Sequence, residues 1–331
     1  MSATSAATVT AQRRMGVLSR HEIQTLLLPM ATLAVVLAPI FWINPNTMSY
    51  FGLGLLLNLA VPMILASMAQ LCIIAVNDLD LSIGAFISLV SCIAVTWLPE
   101  RPVLGVAALV ACVLLYAAIG ALVELFDLPS IVVTLGLSFV WGGFVWGGWA
   151  LILLPMPGGA TPQWIQDVMN LAIPVIPTPI VYAVLIALCA HWFLMRSSTG
   201  VRLRGAGGNP KAIVRSGGSV VRAKALMYGL AGVLGILSAL TLVGITTSAD
   251  ANIAQRYTLI SIAAVILGGG SFIGGKVSPI GATLGAITLG IAASFLSFLN
   301  IAPKWQIGLQ GAILIIVLSM RILLSARGER Q

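Results

Sequence analysis

Residues 103–125 read VLGVAALVACVLLYAAIGALVEL, a run whose one charged side chain, Glu124, sits at its far end. At 1.5 Å per residue, a helix of that length crosses the roughly 30 Å apolar core of a bilayer. A barrel strand would read as about ten residues of alternating polarity. This run is twice as long and does not alternate. Without water, its backbone groups can be satisfied only within a helix, so the stretch predicts a transmembrane helix. The rest of the chain repeats the pattern, with apolar runs near 24–43, 51–76, 82–98, 130–154, 175–195, 224–246, 257–270, 279–299 and 305–323. The expectation is an all-α, polytopic membrane protein of about ten spans. The eighth run is short for a straight crossing and reads as a half-helix, or as a helix leaning on the glycines after it.

Composition agrees. Of 331 residues, 59% are hydrophobic and 8% charged, and the mean hydropathy is +1.07. A soluble domain is roughly a quarter charged, so a soluble enzyme is excluded. Turn chemistry separates the runs at Asn44-Pro45-Asn46, Leu98-Pro99-Glu100-Arg101-Pro102, Asp127-Leu128-Pro129-Ser130 and Ala302-Pro303-Lys304. No small-x-small cleavage site precedes Asn44, so the first run reads as an anchor helix and not a signal peptide.

Charge placement orients the chain. With the N-terminus in the cytoplasm, alternation puts Arg13, Arg14, Arg20, Arg196, Arg202, Arg204, Lys211, Arg215, Arg222, Lys224, Lys276, Arg321, Arg327 and Arg330 inside. Only Arg101, Arg256 and Lys304 fall outside. That asymmetry fits the positive-inside rule with both termini cytoplasmic. The net charge of +8 is then a topology signal and not a nucleic-acid footprint. Residues 1–22 read as a disordered cytoplasmic tail, 23–325 as one permease domain and 326–331 as a second tail. The 155–174 loop falls outside, with Trp164 and the short run after it along the interface. The basic 196–223 loop falls inside.

The interior is almost free of ionisable groups. Glu124 and Arg321 lie near helix ends, and His191 reads as a near-interface histidine ahead of a proton relay. Such a pathway suits a neutral solute. Cys72, Cys92, Cys112 and Cys189 all fall within apolar runs and make no CxxC pair, so they read as small buried residues. Ser67, Gln70 and Asn77 share an arc of about 80° if the second span is helical to its end, either lining a pathway or bonding helix to helix. Pro62 predicts a kink in that span. Gly143-x-x-x-Gly147 and Gly281-x-x-x-Gly285 read as close-packing signatures. Trp141, Trp146 and Trp149 flank the first, as an outer interfacial belt or a surface for stacking a sugar ring. Gly270–Val277 nearly matches a phosphate-binding loop. However, Val277 stands where Ser or Thr must hold Mg²⁺, and an apolar helical run precedes it. It reads as a turn between spans.

Four segments, in order over residues 50–320, resemble the ribose/xylose-type permeases of bacterial ATP-binding cassette importers. Asn77-Asp78-Leu79-Asp80-Leu81-Ser82-Ile83-Gly84 is similar to that family's GGIDLSVG, with Asn77-Asp78 in place of the glycine pair. Val133-Thr134-Leu135-Gly136 resembles its ATLG, without the Arg-Gly that usually follows. Residues 207–217, GGNPKAIVRSG, resemble GGNxxAAxxSG, with Ile213 for the second alanine. Residues 263–269 with Gly274-Gly275 resemble AAVVLGGxSxxGG.

These segments also have local readings. Asp80 suits capping of the span that begins at Leu81, ahead of a substrate contact. Asn209 reads as N-cap, Pro210 as first-turn proline and Gly217 as terminator of a helix of about two turns. The resemblance implies that this helix, through Asn209, Pro210, Ala212, Ile213, Ser216 and Gly217, docks in a groove of a separate ATPase subunit and transmits its closure. It also implies the type II importer permease fold, a bacterial inner-membrane location, a periplasmic sugar-binding protein, and a second permease copy or a paralogue. The pathway candidates are Ser67, Gln70, Asn77, Asp80, Thr134 and Trp141. The expected function is sugar import without catalysis, cofactor or metal on this chain. A self-contained secondary transporter or channel is the alternative; it would need its own coupling-ion site, and buried carboxylates are nearly absent. An intramembrane enzyme lacks a Ser/His/Asp, HExxH or paired-aspartate constellation.

Overall fold

The computed structural model describes residues 20–146, 161–272 and 274–299, and isolated positions between 305 and 319. Expectations for the tails, Gly147, Trp149 and most of the tenth run lie outside the described residues. Within them, the secondary structure is helical. The helices are α1 (Arg20–Ile43), α2 (Tyr50–Asn58), α3 (Ala60–Ala75), α4 (Ile83–Glu100), α5 (Pro102–Leu125), α6 (Ser130–Trp146) and α7 (Gln163–Met169). They continue as α8 (Thr178–His191), α9 (Ser198–Gly208), α10 (Pro210–Arg215), α11 (Val220–Thr246), α12 (Tyr257–Leu267) and α13 (Pro279–Phe298).

Five helical segments are long and apolar enough to cross a bilayer: Ile83–Glu100, Pro102–Leu125, Thr178–Arg196, Val220–Thr246 and Pro279–Leu296. The pair α2 and α3, bent by 41°, meets the same length and composition test when taken together. The bend falls at Leu59, ahead of Pro62. A proline lacks the N–H that would bond the carbonyl four residues back, here that of Asn58, and its ring clashes there, so the break follows Asn58 and does not fall at the proline. Pro29–Ile43, Ser130–Val145 and Tyr257–Leu267 are shorter apolar helices.

α3 is the axis. All sixteen of its residues are buried, as expected of a helix apolar on every side. α11 packs along α3 and α5, and α13 lies against α12, α3 and α1. The helix ends separate into two groups. At one end, Gly207 and Gly208 meet Ala75, Val76 and Gly274-Gly275. At the other, Thr161 Oγ1 donates to Val243 O, and Tyr50 Oη donates to Ile173 O. Residues 161–174 and the 196–223 loop therefore lie at opposite ends, about 40 Å apart along the 27 residues of α11.

Of the cysteines, Cys72, Cys92 and Cys112 are buried as expected, but Cys189 is exposed on α8; none is disulfide-bonded. Gly281 and Gly285 pack as expected. At Gly143 a Cβ would meet nothing within 4 Å among the described residues.

Candidate functional site

Between α3 and α4 the chain leaves helical geometry and climbs back into the bundle. Asn77 turns it, with φ of 67°, a left-handed conformation that asparagine tolerates better than most residues. The following residues run extended between α3 and α6, where every backbone polar group must find a protein partner. The Leu79 N–H donates to Ser130 Oγ at 3.3 Å, and the Leu81 N–H to Thr134 Oγ1 at 3.1 Å. The Thr134 hydroxyl also donates toward Leu79 O at 3.1 Å. From the other side, the Gln70 amide, oriented to satisfy both its atoms, bonds the N–H and C=O of Asp80 at 3.2 and 3.1 Å. Three polar side chains thus hold one strand-like segment inside the bundle.

The segment ends on a buried carboxylate. Asp80 accepts from Ser82 N and Ser82 Oγ through one oxygen, and from Tyr116 Oη through the other, all at 2.7 Å. It does not act as N-cap: α4 begins at Ile83 with Ser82 in that place. Tyr116 lies eight residues before Glu124 on α5, so this network sits about 12 Å deeper than the helix end. The Tyr116 ring packs on Phe86 (centroids 4.5 Å apart) and stacks parallel to Trp141 at 6.2 Å.

At the helix end itself, Lys224 joins two carboxylates, 3.1 Å from Asp78 Oδ2 and 3.0 Å from Glu124 Oε2. Tyr228 Oη donates to Asp78 at 3.2 Å. Burial pushes the Asp78 carboxyl above the ordinary carboxylate range, against the pull of the Lys224 ammonium and the hydrogen bonds from Lys224, Tyr228 and Ser130.

α12 is the second broken element. Its 11 residues span about 16 Å, half a crossing, which accounts for the short eighth run. Its start lies beside the start of α4: the Gly84 N–H donates to Thr258 Oγ1 at 3.0 Å, and the Ala254 N–H to Ser88 Oγ at 3.1 Å. Two helix N-termini therefore meet inside the bundle. A cavity of about 460 Å³ opens there. Leu81 and Ala85 line it from α4, Gln255 and Thr258 from α12, and Ser138, Phe139, Gly142 and Gly143 from α6. No lining side chain is ionisable, and half-helix N-termini bring partial positive charge to it.

The far end of α12 leads to the loop that resembles a phosphate-binding loop. Two of its N–H groups are engaged within the protein: Gly274 donates to Asn77 Oδ1 at 2.9 Å and Gly275 to Ala75 O at 3.0 Å. The loop is a packing turn, as the sequence suggests. Gly207 and Gly208 press on the same junction, and α10 follows directly. There the expected caps are present. Asn209 Oδ1 accepts from the Ala212 N–H at 3.1 Å, with Pro210 in the first turn. Gly218 N–H to Ile213 O and Gly217 N–H to Val214 O close a Schellman ending, with Gly217 at φ 77°. The helix has six residues, shorter than two turns, and none is buried. Ile213 packs against Gly205 and Gly218, which leaves Ala212 and Ser216 exposed.

Of the six residues read as pathway candidates, none lines the cavity. Ser67 is fully buried and donates to Met63 O. Gln70 and Thr134 serve the extended segment, Asp80 closes it, and Asn77 ties it to Gly274. Trp141 is 2% exposed among Phe86 and Tyr116, so no ring face is free to stack a sugar. The lining residues Ser138, Gln255 and Thr258 carry no sequence signal, because only the meeting of two helix breaks places them together. The Asp78–Lys224–Glu124 cluster was traceable, since alternation puts all three at one end.

The family model for the branched-chain amino acid transport system / permease component matches residues 52–318. The ribose import permease protein of Escherichia coli strain K12 is 26% identical over 306 residues, 86% of this chain and 89% of that protein. A probable ABC transporter permease of Sinorhizobium fredii is 28% identical over 290 residues, 86% and 85% of the two chains. The autoinducer 2 import system permease of Photorhabdus luminescens is 27% identical over 256 residues, 74% and 75% of the two chains. No solved structure matches.

Proposed function

Because the chain belongs to the family of branched-chain amino acid transport system permease components, we propose that it is the membrane subunit of an ATP-binding cassette importer and passes a neutral sugar, a pentose, hexose or related polyol. The cavity carries this reading. An amino acid brings two formal charges, and a charged group held away from water needs a partner. The helix N-termini suit a carboxylate, but none of the eight lining residues is an anion that could pair with the ammonium, whereas a sugar's hydroxyl groups need no charged partner. The names of the ribose and autoinducer 2 permeases point the same way.

ATP hydrolysis is assigned to a separate subunit that receives α10, and sugar arrives on a periplasmic binding protein. A push on α10 reaches the Gly207-Gly208 junction, and two elements continue from there to the cavity. One is α12, ending at Thr258 and Gln255. The other is the extended segment, ending at Leu81. Neither needs a charged relay. Ten spans with both termini cytoplasmic, in the bacterial inner membrane, complete the proposal. The 196–223 loop is the coupling loop of a single permease domain, paired with a second copy or a paralogue.

Proteoliposomes holding the permease, its ATPase and its binding protein test the substrate. ATP-dependent uptake of labelled ribose or another neutral sugar is expected, whereas uptake of leucine and of no sugar overturns the reading. Cysteines placed at Ser198 and Gln166, in a background without the native four, test the orientation. The first should label only from inside and the second only from outside. Ala212→Glu, at an exposed position, should leave the protein inserted but release the ATPase and abolish uptake.

A further inference from the structure

We infer that Gln255 is the residue through which the permease discriminates among sugars, with Phe139 and the bare backbone of Gly142 and Gly143 forming the surface opposite it. The inference rests on the sugar-permease reading and adds to it the residue that reads the substrate.

Three observations carry it. First, the two lining hydroxyls are each engaged in part, whereas the Gln255 side chain is wholly uncommitted among the described residues. Ser138 Oγ donates to Leu135 O at 2.6 Å, and Thr258 Oγ1 accepts from Gly84 N. Gln255 lines the cavity and is exposed, and its side-chain amide has no hydrogen bond among the described residues. A primary amide offers both donors and an acceptor, which matches a hydroxyl able to give and accept.

Second, the α6 glycines Gly142 and Gly143 are not needed for packing among the described residues. An added Cβ at Gly142 or Gly143 meets nothing within 4 Å, whereas at Gly84, across the cavity, it would strike the Ala254 and Gln255 carbonyls. α6 keeps an open face where α4 and α12 are closed together. Third, Phe139 stands beside these glycines, 73% exposed. Its ring gives the apolar face of a sugar something to slide along without holding it.

The geometry is also specific. Gln255 immediately precedes the first turn of α12, and the far end of that helix meets the coupling junction. A movement of α12 would thus carry Gln255 with it, so contact with the sugar would be made and released within the transport cycle.

The experiment uses the full complex of permease, ATPase and binding protein in proteoliposomes, with labelled ribose, xylose and glucose. For each sugar the uptake rate of a variant is divided by that of the wild type, which cancels the binding protein's own preference. Gln255→Leu keeps the size but loses the amide. It should lower the saturating rate for the best substrate by about tenfold, the worth of one well-made hydrogen bond, and should change the ratios among sugars. Gln255→Asn should recover part of the rate. Gly142→Ala and Gly142→Leu should restrict passage in order of side-chain size, glucose before the pentoses, while the ATPase still co-purifies. If Gln255→Leu lowers all sugars equally or not at all, the assignment of Gln255 falls and the sugar reading stands. If Gly142→Leu prevents assembly with the second permease subunit, that face is an interface and the inference falls. If the wild type carries no sugar, the underlying reading falls instead.

Discussion

Glycine does opposite work on the two sides of this molecule. Where α12 meets α13, Gly268, Gly281 and Gly285 let backbone touch backbone, and a Cβ at Gly281 would land on the Gly268 carbonyl oxygen. On α6, an added Cβ at Gly136, Gly142 or Gly143 meets nothing among the described residues. The GxxxG spacing is present in both places and does not separate them. What separates them is whether a second helix arrives. α13 is brought against α12 by a short turn, while α6 has α4 on one side and the cavity on the other. Small residues are thus a means of close approach in one region and a means of leaving room in the other.

The harshest way to break the comparison is to crowd the closed side. Gly281→Val sets a branched side chain into the Gly268 backbone, which cannot retreat without parting α12 from α13. Overpacking of flexible cores costs about 1–3 kcal/mol; here the obstacle is main chain, so the loss should exceed that range. The expected outcome is little folded protein in the membrane, read by size-exclusion profile after detergent extraction. Normal yield and profile would show that the two helices are not held as described.

Next in size is the ion cluster on the same side. Lys224 is 14% exposed and its partner Asp78 7%. Lys224→Met keeps the length but leaves Asp78 without a cation. Removing one partner of a buried pair typically costs about 3–5 kcal/mol, and the partial exposure of Glu124 places the result at the lower end. A fall in melting temperature of the purified protein should follow, reduced in the double variant Lys224→Met, Asp78→Asn. No rescue would mean that the two residues do not act as a pair.

How far the sequence exposed this arrangement depends on the range of the interactions. The positions of the five helices long enough to cross followed from run lengths, because a bilayer imposes one length on every crossing. The caps of α10 were visible in Asn209, Pro210 and Gly217, because capping acts within a few residues. The cavity was not visible. It depends on α4 starting deep and α12 starting beside it, a contact between residues 84 and 258 that no local pattern encodes. Polarity left two roles open for a related reason: the polar atoms of Gln70 and Thr134 serve the backbone of the extended segment. That segment's existence was the missing fact.

Asn77 sharpens the comparison, since it stands where the resembling permeases have glycine. Its left-handed φ favours glycine, yet its side chain also accepts from Gly274 N. Asn77→Gly should lose only that hydrogen bond, about 0.5–1.5 kcal/mol. Asn77→Ala should lose the bond and also suffer left-handed strain, roughly 1–2 kcal/mol more. Thermal melts of the two variants should rank alanine below glycine. Equal melts would mean that the turn relaxes out of the left-handed region.

The smallest expected effect tests the open side, and its sign is what matters. Gly136 is exposed within α6, and a Cβ there meets nothing within 4 Å. In a soluble helix, replacing glycine by alanine gains about 0.5–1 kcal/mol, because glycine loses more backbone freedom on becoming helical. In a bilayer the helix is formed before the bundle assembles, so most of that gain is already present in the reference state. Gly136→Ala should therefore leave the melting temperature unchanged or raise it slightly. This is the reverse of the outcome at Gly281, although both substitutions start from a glycine in a membrane helix. A clear fall would mean that something packs against Gly136 in the assembled transporter. The face of α6 would then have to be redrawn as an interface, and the contrast between the two kinds of glycine would end at Gly142 and Gly143.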